Sequence, residues 1–205
     1  MVNEIESQTE KPLDQNYWNT RWQTGETGWD IGYASPAIAD YMQQVKRKNI
    51  AILIPGCGNA YEAQFLVSQG FTNITLIDIA PDAVKRLQER FTDMPQIKII
   101  CGDFFTHKGR YDLVVEQTFF CAISPTKRTD YARKMAELLK KKGKIIGLLF
   151  GKKFEAQGPP FGGTMSEYEP LFSPYFDIEK MAWCQNSISP RKDSELFIIL
   201  HKKQD

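Results

Sequence analysis

The stretch Ile50-Ala51-Ile52-Leu53-Ile54-Pro55-Gly56-Cys57-Gly58, followed by Thr75-Leu76-Ile77-Asp78, constrains this chain more than any other feature. An apolar strand entering a Gly-x-Gly turn, with a carboxylate ending a second strand about twenty residues later, is the layout of an adenosine-binding α/β half. The glycines let backbone approach a ligand closely, and Asp78 at a strand's carboxyl end can accept hydrogen bonds from two ribose hydroxyls. Gly-x-Gly alone also serves plain strand-to-helix connections; the strand before it and Asp78 after it make it a cofactor signal.

The rhythm around that motif extends the pattern. Ser35-Pro36 starts a helix through about Val45, and Pro81 opens another in which Ala83, Val84, Leu87 and Phe91 recur at helical spacing. Apolar runs at 50–54, 74–77, 97–101, 113–115 and 144–150 alternate with such stretches, which predicts an α/β, doubly wound, mostly parallel sheet with helices on both faces. The last third differs. Runs at 176–183 and 195–200 are joined through Ser187, Ser189 and Pro190, a connection that suits an antiparallel pair. Ser166-x-x-Glu169 has capping-box spacing and predicts a short helix through Phe172.

A chain of 205 residues, 42% of them hydrophobic, suits one domain. Residues 1–14 read as a flexible polar tail, and 15–205 as a single domain that includes an aromatic lid at 15–35. With 26 Lys and Arg against 25 Asp and Glu there is no basic field for a nucleic acid. Lys140-Lys141-Lys142-Gly143-Lys144 reads as the last turn and C-cap of a helix. Cys57, Cys101, Cys121 and Cys184 lie far apart, and His107 and His201 add no ligand cluster, so no metal is expected. Neither an apolar leader nor a run of about eighteen apolar residues is present, so the expectation is a cytoplasmic protein with reduced thiols and no membrane partner.

In an open parallel sheet the ligand lies beyond the carboxyl ends of the strands. The residues there are Gly56, Cys57, Gly58 and Asn59, then Asp78, then Gly102-Asp103-Phe104, then Glu116-Gln117. Asp103 can accept the adenine amino proton while Phe104 covers the base, although alone Asp103 is an ordinary turn aspartate. Glu116 and Gln117 fall at the rim between cofactor and substrate. The other unusual segment is Tyr17-Trp18-Asn19-Thr20-Arg21-Trp22 with Gly25, Gly28 and Trp29. Trp18 and Trp22 share one helical face and Trp29 approaches from the loop beyond, either as a lid or as a seal on one end of the sheet. A lid of this kind would suit a sulfonium, through cation–π attraction and water exclusion.

Taken together, Trp18-x-x-x-Trp22, Gly25-Glu26-Thr27-Gly28-Trp29-Asp30, Ile54-Pro55-Gly56-Cys57-Gly58-Asn59-Ala60, Leu76-Ile77-Asp78-Ile79 and Gly158-Pro159-Pro160-Phe161 resemble the thiopurine S-methyltransferase family, which includes halide and thiocyanate methyltransferases. The resemblance spans most of residues 17–200. It implies the S-adenosylmethionine-dependent methyltransferase fold, with about seven strands and a reversed last hairpin. It also implies that Trp18, Trp22 and Trp29 cover the cofactor, that the turn Gly56, Cys57 and Gly58 meets its methionine part, and that Asp78 and Ile79 hold the ribose. Asp103 and Phe104 take the adenine, Glu116 and Gln117 lie beside the transferred methyl, and Phe161 helps to close the site. Ile54 stands where many methyltransferases carry an acid, and Ala60 replaces a third glycine. Gln117 stands where thiopurine-methylating members have arginine, which argues against a thiopurine acceptor.

The reaction implied is in-line methyl transfer from S-adenosyl-L-methionine to a small soft nucleophile: a thiol or thiolate, thiocyanate or a halide. Orientation and water exclusion are the protein's part, and no catalytic triad is needed. Glu116 is the candidate base; otherwise it orients Gln117 or the Trp22 indole. Cys57 and Cys121 read as packing. The rivals are an NAD-dependent oxidoreductase, disfavoured by the missing glycine and the antiparallel pair, and a silent adenosyl-cofactor-binding module. A monomer is expected, with a homodimer as the alternative.

Overall fold

The computed structural model describes residues 12–155 and 158–204. Its sheet has seven strands: β1 (Ile52–Pro55), β2 (Ile74–Asp78), β3 (Ile97–Cys101), β4 (Tyr111–Gln117), β5 (Leu139–Phe150), β6 (Phe176–Trp183) and β7 (Glu195–Lys202). Their order is β3-β2-β1-β4-β5-β7-β6, with β1 to β5 parallel and β7 antiparallel to both neighbours. Every residue of β1 and β2 is buried, as central parallel strands covered on both faces must be.

Among the described residues six α-helices surround it: α1 (Gln15–Thr24), α2 (Pro36–Gln43), α3 (Tyr61–Ser68), α4 (Pro81–Arg90), α5 (Arg128–Leu138) and α6 (Met165–Phe172). Alternate strand residues enter different cores, following the two-residue period of a strand. Leu53, Val114 and Ile145 pack with Tyr131 and Met135 of α5 and Phe172 of α6. Ile52, Leu113 and Ile146 pack with Ile38 of α2, Leu66 of α3 and Leu87 of α4. The strand order reverses between β1 and β4, so a crevice opens where Gly56 and the end of β4 meet.

Two local expectations are corrected. The lysine run is no helix end: α5 stops at Leu138, and Leu139 is pulled, fully buried, into β5 to pair with Tyr111. The run forms an irregular stretch of that strand, with Lys142 at φ 63 and Lys140 bonded to Asp112 at 2.8 Å. The predicted short helix is present, but its capping box is Thr164 with Glu167 rather than Ser166 with Glu169. Of the expected tail, residues 1–11 lie outside the described residues; Asp14 is ordered and caps α1 by accepting from the Tyr17 amide at 2.9 Å.

Candidate active site

The turn after β1 is built from left-handed backbone at Gly56 (φ 54), Gly58 (φ 50) and Ala60 (φ 50). At Gly56 a side chain is excluded twice over, because a Cβ there would lie 2.3 Å from the Phe119 ring. Ala60 holds its conformation without a glycine, which is why the missing third glycine does not disturb the turn. Asp78 closes it. One carboxylate oxygen accepts from the Gly58 amide at 3.0 Å and the other from the Ala80 amide at 2.9 Å. Burial pushes the Asp78 pKa above the usual carboxylate value, against these amide donors. Its remaining lone pairs are available to hydroxyl donors.

The aromatic segment is bolted down through α1. The Asn19 side chain accepts from the Asp82 amide at 2.8 Å and donates to its carboxylate at 3.1 Å. Asn19 thereby supplies the cap that Ala80, at the start of α4, has no side chain to provide. Gln15 Nε2 donates to the Ile79 carbonyl at 3.1 Å. Trp22 is only 4% exposed and packs on Ala80 and Ala83, so it seals one end of the sheet while also lining the cavity below. Trp29 meets Trp18 and Trp22 edge-on, with ring centroids 5.6 and 5.9 Å away. The Asp30 carboxylate accepts from Asn59 and from Tyr61 at 3.3 Å, tying the loop after Trp29 to the turn after β1.

Beneath these rings lies a cavity of about 800 Å³ with mainly apolar walls. Trp18, Trp22, Trp29, Gly56, Gly58 and Asp78 line it, as do Ile79, Asp103 and Phe104. Cys57 and Gln117 line a water-sized pocket of about 40 Å³ that shares Trp29, Gly56, Gly58 and Thr118 with the large one. The Gln117 Oε1 is buried there without a hydrogen-bond partner among the described residues. The Phe161 side chain lines neither; its amide donates to the Cys121 carbonyl at 2.7 Å, and Pro159 and Pro160 carry that loop to the cavity.

Glu116 is also not at the rim. It is fully buried, with Oε1 accepting from the Phe119 and Phe120 amides at 2.8 and 2.9 Å and Oε2 from the Tyr131 hydroxyl at 2.5 Å. It stands behind the wall, so the general-base expectation meets no path to an acceptor's proton. Cys121 does line the cavity. Burial, then the Glu116 charge, pushes its thiol up to about 12, so it stays protonated and packs.

Thr118, Phe119 and Arg191 also line the cavity without having stood out in the sequence. Arg191 matters most: its side chain is 11% exposed, lines the cavity, pairs with Glu195 at 3.4 Å and donates to the Trp29 carbonyl at 2.8 Å. One signal was available. The connection into an antiparallel last strand returns to the carboxyl ends of the parallel ones, which brings its cation to the cavity end of the sheet.

Solved structures share the fold. A 1,6-didemethyltoxoflavin-N1-methyltransferase from Burkholderia thailandensis, with S-adenosylhomocysteine bound, matches at a TM-score of 0.74 and 15% identity over 98% of this chain and 99% of that one. A TehB-like S-adenosylmethionine-dependent methyltransferase from Corynebacterium glutamicum matches at 0.65 and 16% identity, covering 92% and 98%. The architecture is that of the S-adenosylmethionine-dependent methyltransferases.

Residues 13–199 match the thiopurine S-methyltransferase family, and the chain belongs to it. It is 33% identical to a probable thiol methyltransferase 2 of Arabidopsis thaliana, over 87% of this chain and 81% of that protein. Against thiocyanate methyltransferase 1 of Brassica oleracea the figure is 30%, over 89% and 83%. A thiopurine S-methyltransferase of Acinetobacter baylyi is 25% identical, over 93% and 100%. The chain is thus an S-adenosylmethionine-dependent methyltransferase of the thiol, thiocyanate and thiopurine type, and nothing in fold or relatives supports an NAD-dependent oxidoreductase.

Proposed function

We propose that the acceptor is a small soft anion, a thiolate or thiocyanate, methylated beside Arg191. The observation that carries this is a nearly buried guanidinium in the wall of an apolar cavity. A cation held there lowers the cost of bringing an anion out of water, whereas a neutral acceptor has no use for it. The absence of arginine at Gln117 supports the same choice over a thiopurine.

The residues present fit the cofactor. The unpartnered Gln117 Oε1 is an acceptor in want of a donor, and the ammonium of a methionine moiety would satisfy it. Asp78 with Ile79 would hold the ribose, Asp103 and Phe104 the adenine, Gly56 and Gly58 the methionine chain, and the three tryptophans the sulfonium. S-adenosylmethionine supplies the electrophilic methyl group. The chain's own work is to align the anion, exclude water and stabilise its approach, and a soft anion needs no base. No helix among the described residues is long and apolar enough to cross a membrane. We read the protein as a cytoplasmic monomer with reduced thiols.

The test is S-adenosylhomocysteine release with thiocyanate, iodide, a simple thiol and a thiopurine. Thiocyanate and the thiol at a pH that ionises it should turn over best. A clear preference for the thiopurine would refute the reading.

A further inference from the structure

Glu116 is enclosed, yet its carboxylate gathers two backbone amides and a phenol, a concentration of donors that a filler side chain would not need. The amides belong to the turn that leaves β4, where Thr118 is held at φ 60 against the preference of an L-residue. That turn builds one wall of the cavity from Thr118, Phe119, Cys121 and Ala122. Phe119 in particular occupies the space above Gly56 and meets the Phe104 ring at 5.1 Å between centroids. One side chain therefore touches both the cofactor turn and the ring expected over the adenine.

Resting on the soft-nucleophile reading above, we propose that Glu116 is the positioning residue of methyl transfer. Through the Phe119 and Phe120 amides it sets the wall that aligns acceptor and cofactor, and Tyr131 in turn fixes the carboxylate. A charged acceptor holds amides more tightly than a neutral one, so the hold depends on ionisation. Burial raises the Glu116 carboxyl to about 7, with the Tyr131 hydroxyl and both amides opposing. Its ionisable neighbours do not change charge there. Burial pushes up the Tyr131 phenol from α5 and the Cys121 thiol from the same turn, and the Arg128 and Arg191 guanidiniums are the cations near Cys121.

Two measurements on the full chain test this. In amide NMR spectra across a pH series, the Phe119 and Phe120 resonances should move together with a midpoint of about 7. The movement should vanish in Glu116→Gln and shift to higher pH in Tyr131→Phe, which loses a donor to the ionised form. With saturating S-adenosylmethionine and thiocyanate, an anion that does not titrate in this range, wild-type turnover should fall about fivefold to tenfold on acidification. It should converge on the rate of Glu116→Gln, whose own profile stays flat. Amides that titrate independently, or a Gln variant with the wild-type profile, would overturn the proposal. Intact amide titration with no turnover of thiocyanate, iodide or thiol would instead uphold the grip on the turn and sink the acceptor reading.

Discussion

Arg191 Nη2 donates to the carbonyl oxygen of Trp29 at 2.8 Å, joining residues 162 apart in the chain. The cation in the cavity wall is therefore also a strut of the loop that carries Trp29. Its Nη1 reaches Glu195 at 3.4 Å, and that carboxylate is 4% exposed. The Trp29 loop, the cavity wall and the last strand meet in one side chain.

Replacing Arg191 by methionine should lower kcat/KM for thiocyanate at least about tenfold, with a smaller effect on an uncharged thiol. It should also cost about 3 kcal/mol in urea unfolding, because Glu195 is left buried without its partner. Equal losses for charged and neutral acceptors would remove Arg191 from acceptor binding.

Asp78→Ala should weaken binding of S-adenosylhomocysteine by about 1–3 kcal/mol, the value of charge-assisted hydrogen bonds. Calorimetry on the folded variant measures it. Unchanged affinity would refute the ribose assignment.

The buried carboxyl of Glu116 leaves a signature in stability. Its folded pKa of about 7 exceeds its ordinary 4.5, so between those values the folded state binds more protons than the unfolded. Stability then falls as pH rises through that window, by about 3 kcal/mol from this group, and is greatest below it. The difference between wild type and Glu116→Gln in urea titrations isolates the effect. A difference that does not vary with pH would contradict it.

Gly56→Ala should abolish cofactor binding or folding, since its Cβ would lie 2.3 Å from Phe119 and its φ is 54. Phe119→Ala should relieve the clash but not the backbone strain, leaving about 1–2 kcal/mol of the loss in the double variant. Full additivity in the double-mutant cycle would show that the ring is not in contact.

Asn19→Ala removes the side chain that caps α4 from a different helix and should destabilise the protein by about 1 kcal/mol. Thermal unfolding reads this, and cofactor affinity should fall with it because α1 carries Trp18 and Trp22. A lowered melting point with unchanged affinity would mean that α1 stays seated without the cap.

The chain alone determined the alternation of strands and helices, the reversed last pair, the Gly56 turn, Asp78 and the clustered tryptophans. These are short-range properties: a two-residue period, a left-handed turn that excludes a side chain, a four-residue helical spacing. Nine of the residues expected to bind the cofactor line one cavity, and six of them do so because the carboxyl ends of parallel strands converge whatever the side chains are. Only the tertiary structure decided which way side chains at those ends face. Glu116 turns inward because the amides three and four residues downstream and a hydroxyl from α5 satisfy it better than the rim could, and Phe161 contributes backbone while its prolines face the site. The lysine run became strand because Leu139 had a place beside Tyr111 in the sheet, a contact that local propensity does not register. Arg191 reached the cavity, and Asn19 the end of α4, through contacts between segments far apart in sequence, which exist only once the sheet has brought those segments together.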